Sequence, residues 1–205
     1  MPNAEGTKES IHCRVGPEVD GGFILSGLWL EEKMNGLIEA GHIDDRFSPP
    51  PHTSLHVGTI KGGVAPNVIA DNCSFHWDVR TIPQDNANAI YTEFEVYCSE
   101  REAVLRRTFP EFAIKTEKQH PSVPALDTAK DAKIVNILKK IANADEIDAV
   151  SYAAEAGQFA EGGFESIICG PGDIAQAHRA NEFVAINQLN QGVEMVRNLV
   201  KELSY

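Results

Sequence analysis

A histidine in a polar loop near the C-terminus is the residue of this chain best placed for chemistry. His178 follows an apolar, β-prone run at 167–169 and the tripeptide Gly170-Pro171-Gly172, which ends that run. Its neighbours are small or polar, so no apolar periodicity assigns the imidazole to a hydrophobic core. Imidazole is the commonest metal ligand and the usual acid–base group near neutral pH. His178 is therefore a candidate site residue, and a surface histidine without function is the alternative.

The elements around this loop alternate between helix and strand. The pattern predicts, in order, a helix Ala129–Ala142, a strand Ile147–Ser151, a helix or loop Glu155–Glu161, a strand Glu165–Cys169 and a helix Ile186–Leu203. Two strands are fewer than an α/β sheet needs to cover both of its faces. We therefore expect residues 120–205 to be the C-terminal portion of a larger domain, truncated on its N-terminal side.

The preceding residues, 1–119, have a different order of elements. The pattern predicts strands at Ile11–Val15, Thr53–Ile60, Asn72–Ile82 and Phe112–Glu117, with helices at Leu28–Ala40 and Asn86–Arg107. The third strand alternates most clearly, because its odd-numbered positions from Cys73 to Val79 are apolar and the even-numbered ones are polar. The order βαββαβ is that of a ferredoxin-like domain, in which two helices cover one face of an antiparallel sheet.

Composition excludes several classes of function. The chain has 205 residues, of which 42% are hydrophobic and 23% charged, as in ordinary globular proteins. Its net charge of −12 argues against a nucleic-acid partner, which requires clustered basic residues. No apolar run is long enough to span a membrane, and the N-terminus does not resemble a secretion signal. The four cysteines form no C-x-x-C pair, which fits thiols in a reducing cytoplasm.

Two ordered motifs then point to a known family. The first comprises Ser151–Gly157, Gly170–His178 and Asn181-Glu182; the second runs from Gly58–Ile69 into Asp78-Val79-Arg80. Together they resemble the dinuclear-metal amidohydrolases and metallopeptidases that include acetylornithine deacetylase and succinyl-diaminopimelate desuccinylase. The resemblance covers roughly residues 53 to 203, and its Gly-Pro-Gly, Gln-Ala-His and Asn-Glu elements favour the acetylornithine deacetylase branch.

The resemblance implies both an architecture and a reaction. A ferredoxin-like lid and dimerisation domain would precede the C-terminal part of an α/β metallohydrolase domain, and the protein would form a homodimer through the lid. The reaction would be metal-dependent hydrolysis of the amide bond of a small N-acyl amino acid, with Zn²⁺, or else Co²⁺ or Mn²⁺, as the cofactor. N2-acetylornithine, cleaved to ornithine and acetate in arginine biosynthesis, is the favoured substrate. Desuccinylase and dipeptidase activities are the close rivals.

The family also implies roles for five residues. His178 would be a metal ligand, Arg80 would bind the α-carboxylate of the substrate, and Asn67 would hydrogen-bond the substrate or the oxyanion. Glu155 and Gly157 would line the substrate pocket. Two alternatives stay open, because Arg80 lies on the polar face of a strand and could be an ordinary solvated arginine, while Glu155 could be a carboxylate at a helix N-terminus.

The departures from the family pattern are as informative as the matches. The chain lacks the early H-x-D motif, the bridging Asp, the Glu-Glu pair that contains the general base, and a further acidic ligand, so we assign no catalytic residue. The lid histidine of the family is also absent, because the matching residues 19–23 are Val-Asp-Gly-Gly-Phe. We therefore expect an incomplete enzyme that is inactive alone. The alternative is a non-catalytic dimerisation or small-molecule-binding module of the same family.

Overall fold

The computed structural model describes residues 11–15, 20–47, 50–65, 67–68, 70–119, 121–150, 152 and 154–204, with the side chains of 11–15 and 20–25 left out. Its strands are β1 Ile11–Val15, β2 Ser54–Gly62, β3 Cys73–Arg80 and β4 Ile114–Lys118. Its helices are α1 Asp20–Glu39, α2 Ala87–Leu105, α3 Lys133–Ala142, α4 Ala156–Glu161 and α5 Ile186–Leu203. The N-terminal unit lies within residues 4–125 and 151–155, and the C-terminal unit within 126–150 and 156–205.

The four strands of the N-terminal unit form one antiparallel sheet in the order β2-β3-β1-β4. The last strand in sequence therefore lies beside the first, and the hairpin β2-β3 occupies the other side of the sheet. Together with the chain order βαββαβ, this topology confirms the ferredoxin-like fold expected from the sequence.

One face of the sheet carries the hydrophobic core. Phe75, Trp77 and Val79 of β3 are buried, as their alternation with polar neighbours predicts. Leu30 of α1 and Phe94 of α2 belong to the same buried cluster, so both helices cover this one face. The opposite face carries the polar residues of β3.

Local chemistry fixes where α2 and β2 begin and end. The side chain of Asn86 accepts a hydrogen bond from the Ala89 N–H at 3.1 Å and caps α2 at its N-terminus. Strand β2 bulges between Val57 and Thr59 and continues to Gly62, two residues beyond the predicted end. A side chain at position 62 would clash, because a Cβ there would lie 2.0 Å from the Cys73 Sγ.

Helix α1 begins at Asp20, whereas the sequence pattern predicts a start near Leu28. Gly21 and Gly22 lie in the first turn of the observed helix. A glycine in a helix costs only about 1 kcal/mol relative to alanine, which the packing of a long helix on a sheet offsets.

The C-terminal unit contains helices but, within its described residues, no strand. The predicted strands Ile147–Ser151 and Glu165–Cys169 are therefore wrong as strands, although residue 151 lies outside the described part. A strand exists only through its ladder of hydrogen bonds, and neither segment has a strand beside it with which to form one. The predicted C-terminal helix Ile186–Leu203 is confirmed residue for residue. None of the helices among the described residues is both long and apolar enough to cross a membrane.

A polar cluster joins two connections of the N-terminal unit, the one between α1 and β2 and the one between β3 and α2. The Asp85 carboxylate, whose side chain is 3% exposed, lies 2.5 Å from the Nδ1 of His42 and also accepts a hydrogen bond from the Thr53 hydroxyl. The same Thr53 oxygen accepts from the Ile82 N–H at 3.2 Å. Asp85 thus fastens the connection after α1 and the start of β2 to the residues that precede α2.

Replacing Asp85 by alanine should lower the free energy of unfolding by about 2–4 kcal/mol, because it leaves the buried hydroxyl of Thr53 and the His42 ring without their acceptor. Urea denaturation measures the change. Asp45→Ala is the matched control, since Asp45 lies exposed in the connection after α1, and it should change stability by less than about 0.5 kcal/mol. Equal losses in the two variants would contradict this role for Asp85.

Candidate functional site

The loop between residue 170 and α5 is built from short turns. Gly172 has a φ of +112°, a conformation that glycine adopts without strain. Next, the Asp173 side chain accepts a hydrogen bond from the Ala175 N–H at 2.9 Å and caps a single 3₁₀ turn, Ile174–Gln176. The run of turns brings the chain to His178 with its backbone hydrogen-bonded locally.

The base of this loop is anchored on α5. A Cβ at Gly192 would lie 3.2 Å from the Cγ of Pro171, so the proline ring packs directly on the helix backbone at that glycine. One turn further along α5, the Met195 Sδ lies 3.5 Å from the Cys169 Sγ. Both contacts hold the entry of the loop against the helix.

His178 itself is exposed and has an unusual backbone conformation. Its φ is +61°, in the left-handed region, which residues other than glycine seldom adopt. Its N–H donates to Oε2 of Glu182 at 3.2 Å. Asn181, next to that glutamate, is also left-handed, with a φ of +60°. Non-glycine residues in this region cluster at functional sites, where the surrounding structure holds them in place.

Arg80 and Asn67 belong to the hairpin of the N-terminal unit. Arg80 is the last residue of β3, its side chain is half exposed, and its Nε donates to Asp78 Oδ2 at 3.3 Å. Asn67 is exposed in the connection that precedes β3. The seven residue steps from Cys73 to Arg80 span about 23 Å, so β3 does not place Asn67 and Arg80 side by side.

Glu155 and Gly157 lie at the start of α4. Glu155 is exposed and immediately precedes the helix, the position that the alternative interpretation as an N-terminal carboxylate requires. Gly157 is buried in the first turn.

The donor chemistry at His178 suits a metal ion as one ligand of several. An exposed imidazole on a locally fixed loop can present a nitrogen to a zinc-type ion. Within the ranges that the structure describes, no three His, Cys, Asp or Glu side chains are grouped so as to hold a metal ion. The described residues therefore fit a contribution to a metal centre and do not form a complete one.

Glu182 is the residue of this loop whose contact the sequence did not predict. Its Asn-Glu element is visible in the sequence, but nothing there reveals that the carboxylate accepts from the backbone of the histidine four residues earlier. The one available signal is a Glu close behind a loop histidine.

Comparison with known proteins accounts for this architecture. Residues 10–104 match the peptidase dimerisation domain. N-acetyl-L-citrulline deacetylase of Xanthomonas campestris is 29% identical over 158 residues, which are 76% of this chain and 41% of that protein. Acetylornithine deacetylase of Myxococcus xanthus is 33% identical over 152 residues, 72% of this chain and 37% of that protein. The chain is similar to acetylornithine deacetylases over almost three quarters of its length. It spans about two fifths of the length of these two relatives.

Solved structures of two peptidases share the fold. An aminopeptidase of Bacillus cereus superposes with a TM-score of 0.64 at 16% identity, covering 98% of this chain and 53% of that protein. A peptidase of Bacillus subtilis, described as binding a dinuclear metal, has a TM-score of 0.53 at 12% identity and covers 98% of this chain and 52% of that protein. At these identities the likeness establishes the fold alone.

Proposed function

We propose that this chain takes part in the metal-dependent hydrolysis of the amide bond of an N-acyl amino acid, with N2-acetylornithine as the substrate and ornithine and acetate as the products. The carrying observation is the fixed, exposed His178 loop in a chain 33% identical to an acetylornithine deacetylase. This reaction belongs to arginine biosynthesis, and we place it in the cytoplasm because Cys73, Cys98 and Cys169 are thiols rather than disulfides.

His178 is the residue that would hold the metal ion, which we propose to be Zn²⁺. When bound, such an ion supplies a hydroxide nucleophile at neutral pH and polarises the amide carbonyl. The part of His178 is to offer a neutral imidazole nitrogen from a loop that does not have to reorganise first. This role needs both the exposure of the ring and the local hydrogen bonds of the loop.

The substrate carboxylate is assigned to Arg80. Its hydrogen bond to Asp78 involves Nε, so the two terminal nitrogens can form the fork that binds a carboxylate in bidentate fashion. Asn67, exposed in the connection that precedes β3, would donate a hydrogen bond to the substrate or the oxyanion. Glu155 and Gly157 would line the pocket.

The chain would supply one ligand to a centre that needs several. Hydrolysis also requires a general base, and we assign that role to no residue of this chain. We therefore propose that the chain is inactive alone and acts together with residues outside it. The dimerisation domain would bring two copies together as a homodimer.

A non-catalytic dimerisation or small-molecule-binding module is the second candidate, and β2 favours it. This strand lies at the edge of the sheet, and most of its residues are exposed. An exposed edge can pair with the edge of a second copy whether or not any chemistry follows.

A chimera distinguishes the two candidates. The part of the M. xanthus deacetylase that precedes its region aligned with this chain would be fused to residues 1–205, and release of ornithine from N2-acetylornithine would be measured with Zn²⁺ and with a chelator. We expect release by the chimera that the chelator abolishes, and none by the chain alone. N2-acetylcitrulline, tested in parallel, reports the amino-acid specificity.

Two results would count against the proposal. A folded, dimeric chimera without hydrolysis on either substrate would favour the non-catalytic module. Chelator-sensitive release by the chain alone would show that it carries a complete site.

A further inference from the structure

The Asn181-Glu182 element has no role in the function proposed above. The structure nevertheless gives Glu182 a specific contact, because Oε2 accepts the backbone N–H of His178 at 3.2 Å. The acceptor is a side chain four residues further along the chain, and both residues are exposed. An exposed carboxylate needs no partner to stay solvated, so the bond calls for an explanation in the loop itself.

The backbone of His178 supplies that explanation. A residue with a side chain is disfavoured at a φ of +61°, because Cβ approaches the following carbonyl oxygen. Left to itself, the residue would relax toward an extended or right-handed conformation and turn its imidazole in another direction. Something must therefore hold the left-handed conformation.

The other hydrogen bonds of the loop do not involve the His178 amide. Ala177 N–H donates to Ile174 O at 3.0 Å, and Arg179 N–H donates to Gln176 O at 3.3 Å. These two bonds fix the chain on either side of the histidine. Glu182 is positioned in turn by its own N–H, which donates to Arg179 O at 3.2 Å. The carboxylate thus accepts from the His178 amide, which lies between these backbone hydrogen bonds.

We propose that Glu182 is a positioning residue, which holds His178 in its left-handed conformation and so sets the direction in which the imidazole projects. This inference rests on the proposed role of His178 as a metal ligand and deepens it. A ligand held in place before the metal arrives loses little conformational freedom on binding.

Nuclear magnetic resonance of the full 205-residue chain tests the proposal through His178 itself. In Glu182→Ala, the His178 amide should exchange with solvent faster by about tenfold or more. Its Cα and carbonyl shifts should move away from left-handed values. Glu182→Gln keeps an oxygen acceptor and should restore most of both signals. Glu161→Ala, an exposed glutamate of the same unit, is the matched control and should leave them unchanged.

Zinc titration of the His178 ring signals in the chimera, in which the deacetylase segment would supply the remaining ligands, separates this inference from the proposed function. A zinc response at His178 with unchanged backbone signals in Glu182→Ala would overturn the positioning role and leave the ligand assignment standing. The predicted backbone changes without any zinc response would support the positioning role of Glu182 and refute the role of His178 as a metal ligand. Failure of Glu182→Gln to restore the signals would also overturn the proposal, because the effect would then depend on charge rather than on the hydrogen bond.

Discussion

Replacing His178 by alanine in the zinc-dependent chimera should reduce ornithine release by about 10³-fold or more. Loss of a metal ligand removes several kcal/mol of charge stabilisation, and each 1.4 kcal/mol corresponds to about a tenfold change in rate. The measurement is the initial rate of ornithine release at saturating substrate, combined with the zinc content of the purified variant. We expect both to fall, because loss of this ligand would weaken zinc binding and the reaction would depend on the bound zinc.

The control for this prediction is His76→Ala. His76 lies on the polar side of β3, and we assign it no role in the reaction, so its replacement should leave the rate within about twofold. If His178→Ala keeps its zinc and its activity, then the loop is not a metal-binding loop and the proposed function loses its carrying observation.

Replacing Phe94 by alanine should have the largest effect on stability, a loss of about 3–5 kcal/mol. Phe94 is fully buried in α2 and lies between the rings of Trp29 and Trp77, with centroid distances of 5.3 and 5.1 Å. Alanine would remove both ring contacts and leave a cavity between the helices and the sheet.

Tryptophan fluorescence during urea unfolding measures this change directly. The chain has two tryptophans, and both touch Phe94, so the signal reports on this core and not on the C-terminal unit. Val96→Ala is the matched control, because Val96 lies on the same helix and is 53% exposed; it should shift stability by less than about 0.5 kcal/mol. A loss below about 1 kcal/mol in Phe94→Ala would mean that the core does not depend on this ring.

Elements with a clear periodicity of apolar residues could be predicted from the sequence. Strand β3 shows strict alternation, and α5 has the spacing of an amphipathic helix, so the types of both could be predicted, with the ends of α5 matched and those of β3 within two residues. The predicted strands Ile147–Ser151 and Glu165–Cys169 failed for a different reason. Their composition suits a strand, but a strand also needs a neighbour, and local sequence does not state whether one is present.

In the candidate site, too, some features could be predicted from the sequence and others required the structure. The loop position of His178 follows from Gly-Pro-Gly and from the lack of apolar periodicity around it. The contact from Glu182 accompanies the positive φ of His178, and the sequence alone does not reveal that φ is positive there. The pairing of Arg80, the last residue of β3, with Ser54 of β2 likewise required the register of the hairpin, which the sequence does not state.

Because the ring of Pro171 packs on Gly192, a position in α5 affects the geometry of the loop that carries His178. Any side chain at 192 would press on the proline ring, seven residues before His178, and the ring or the helix would have to yield by a few tenths of an ångström. If the proposed function holds, a selection that scored only turnover would return Gly192 beside His178, although Gly192 packs on Pro171 and is assigned no contact with an ion or a substrate. A substitution of Gly192 would then lower turnover through the packing of Pro171 on α5, and not through a contact with the reacting groups.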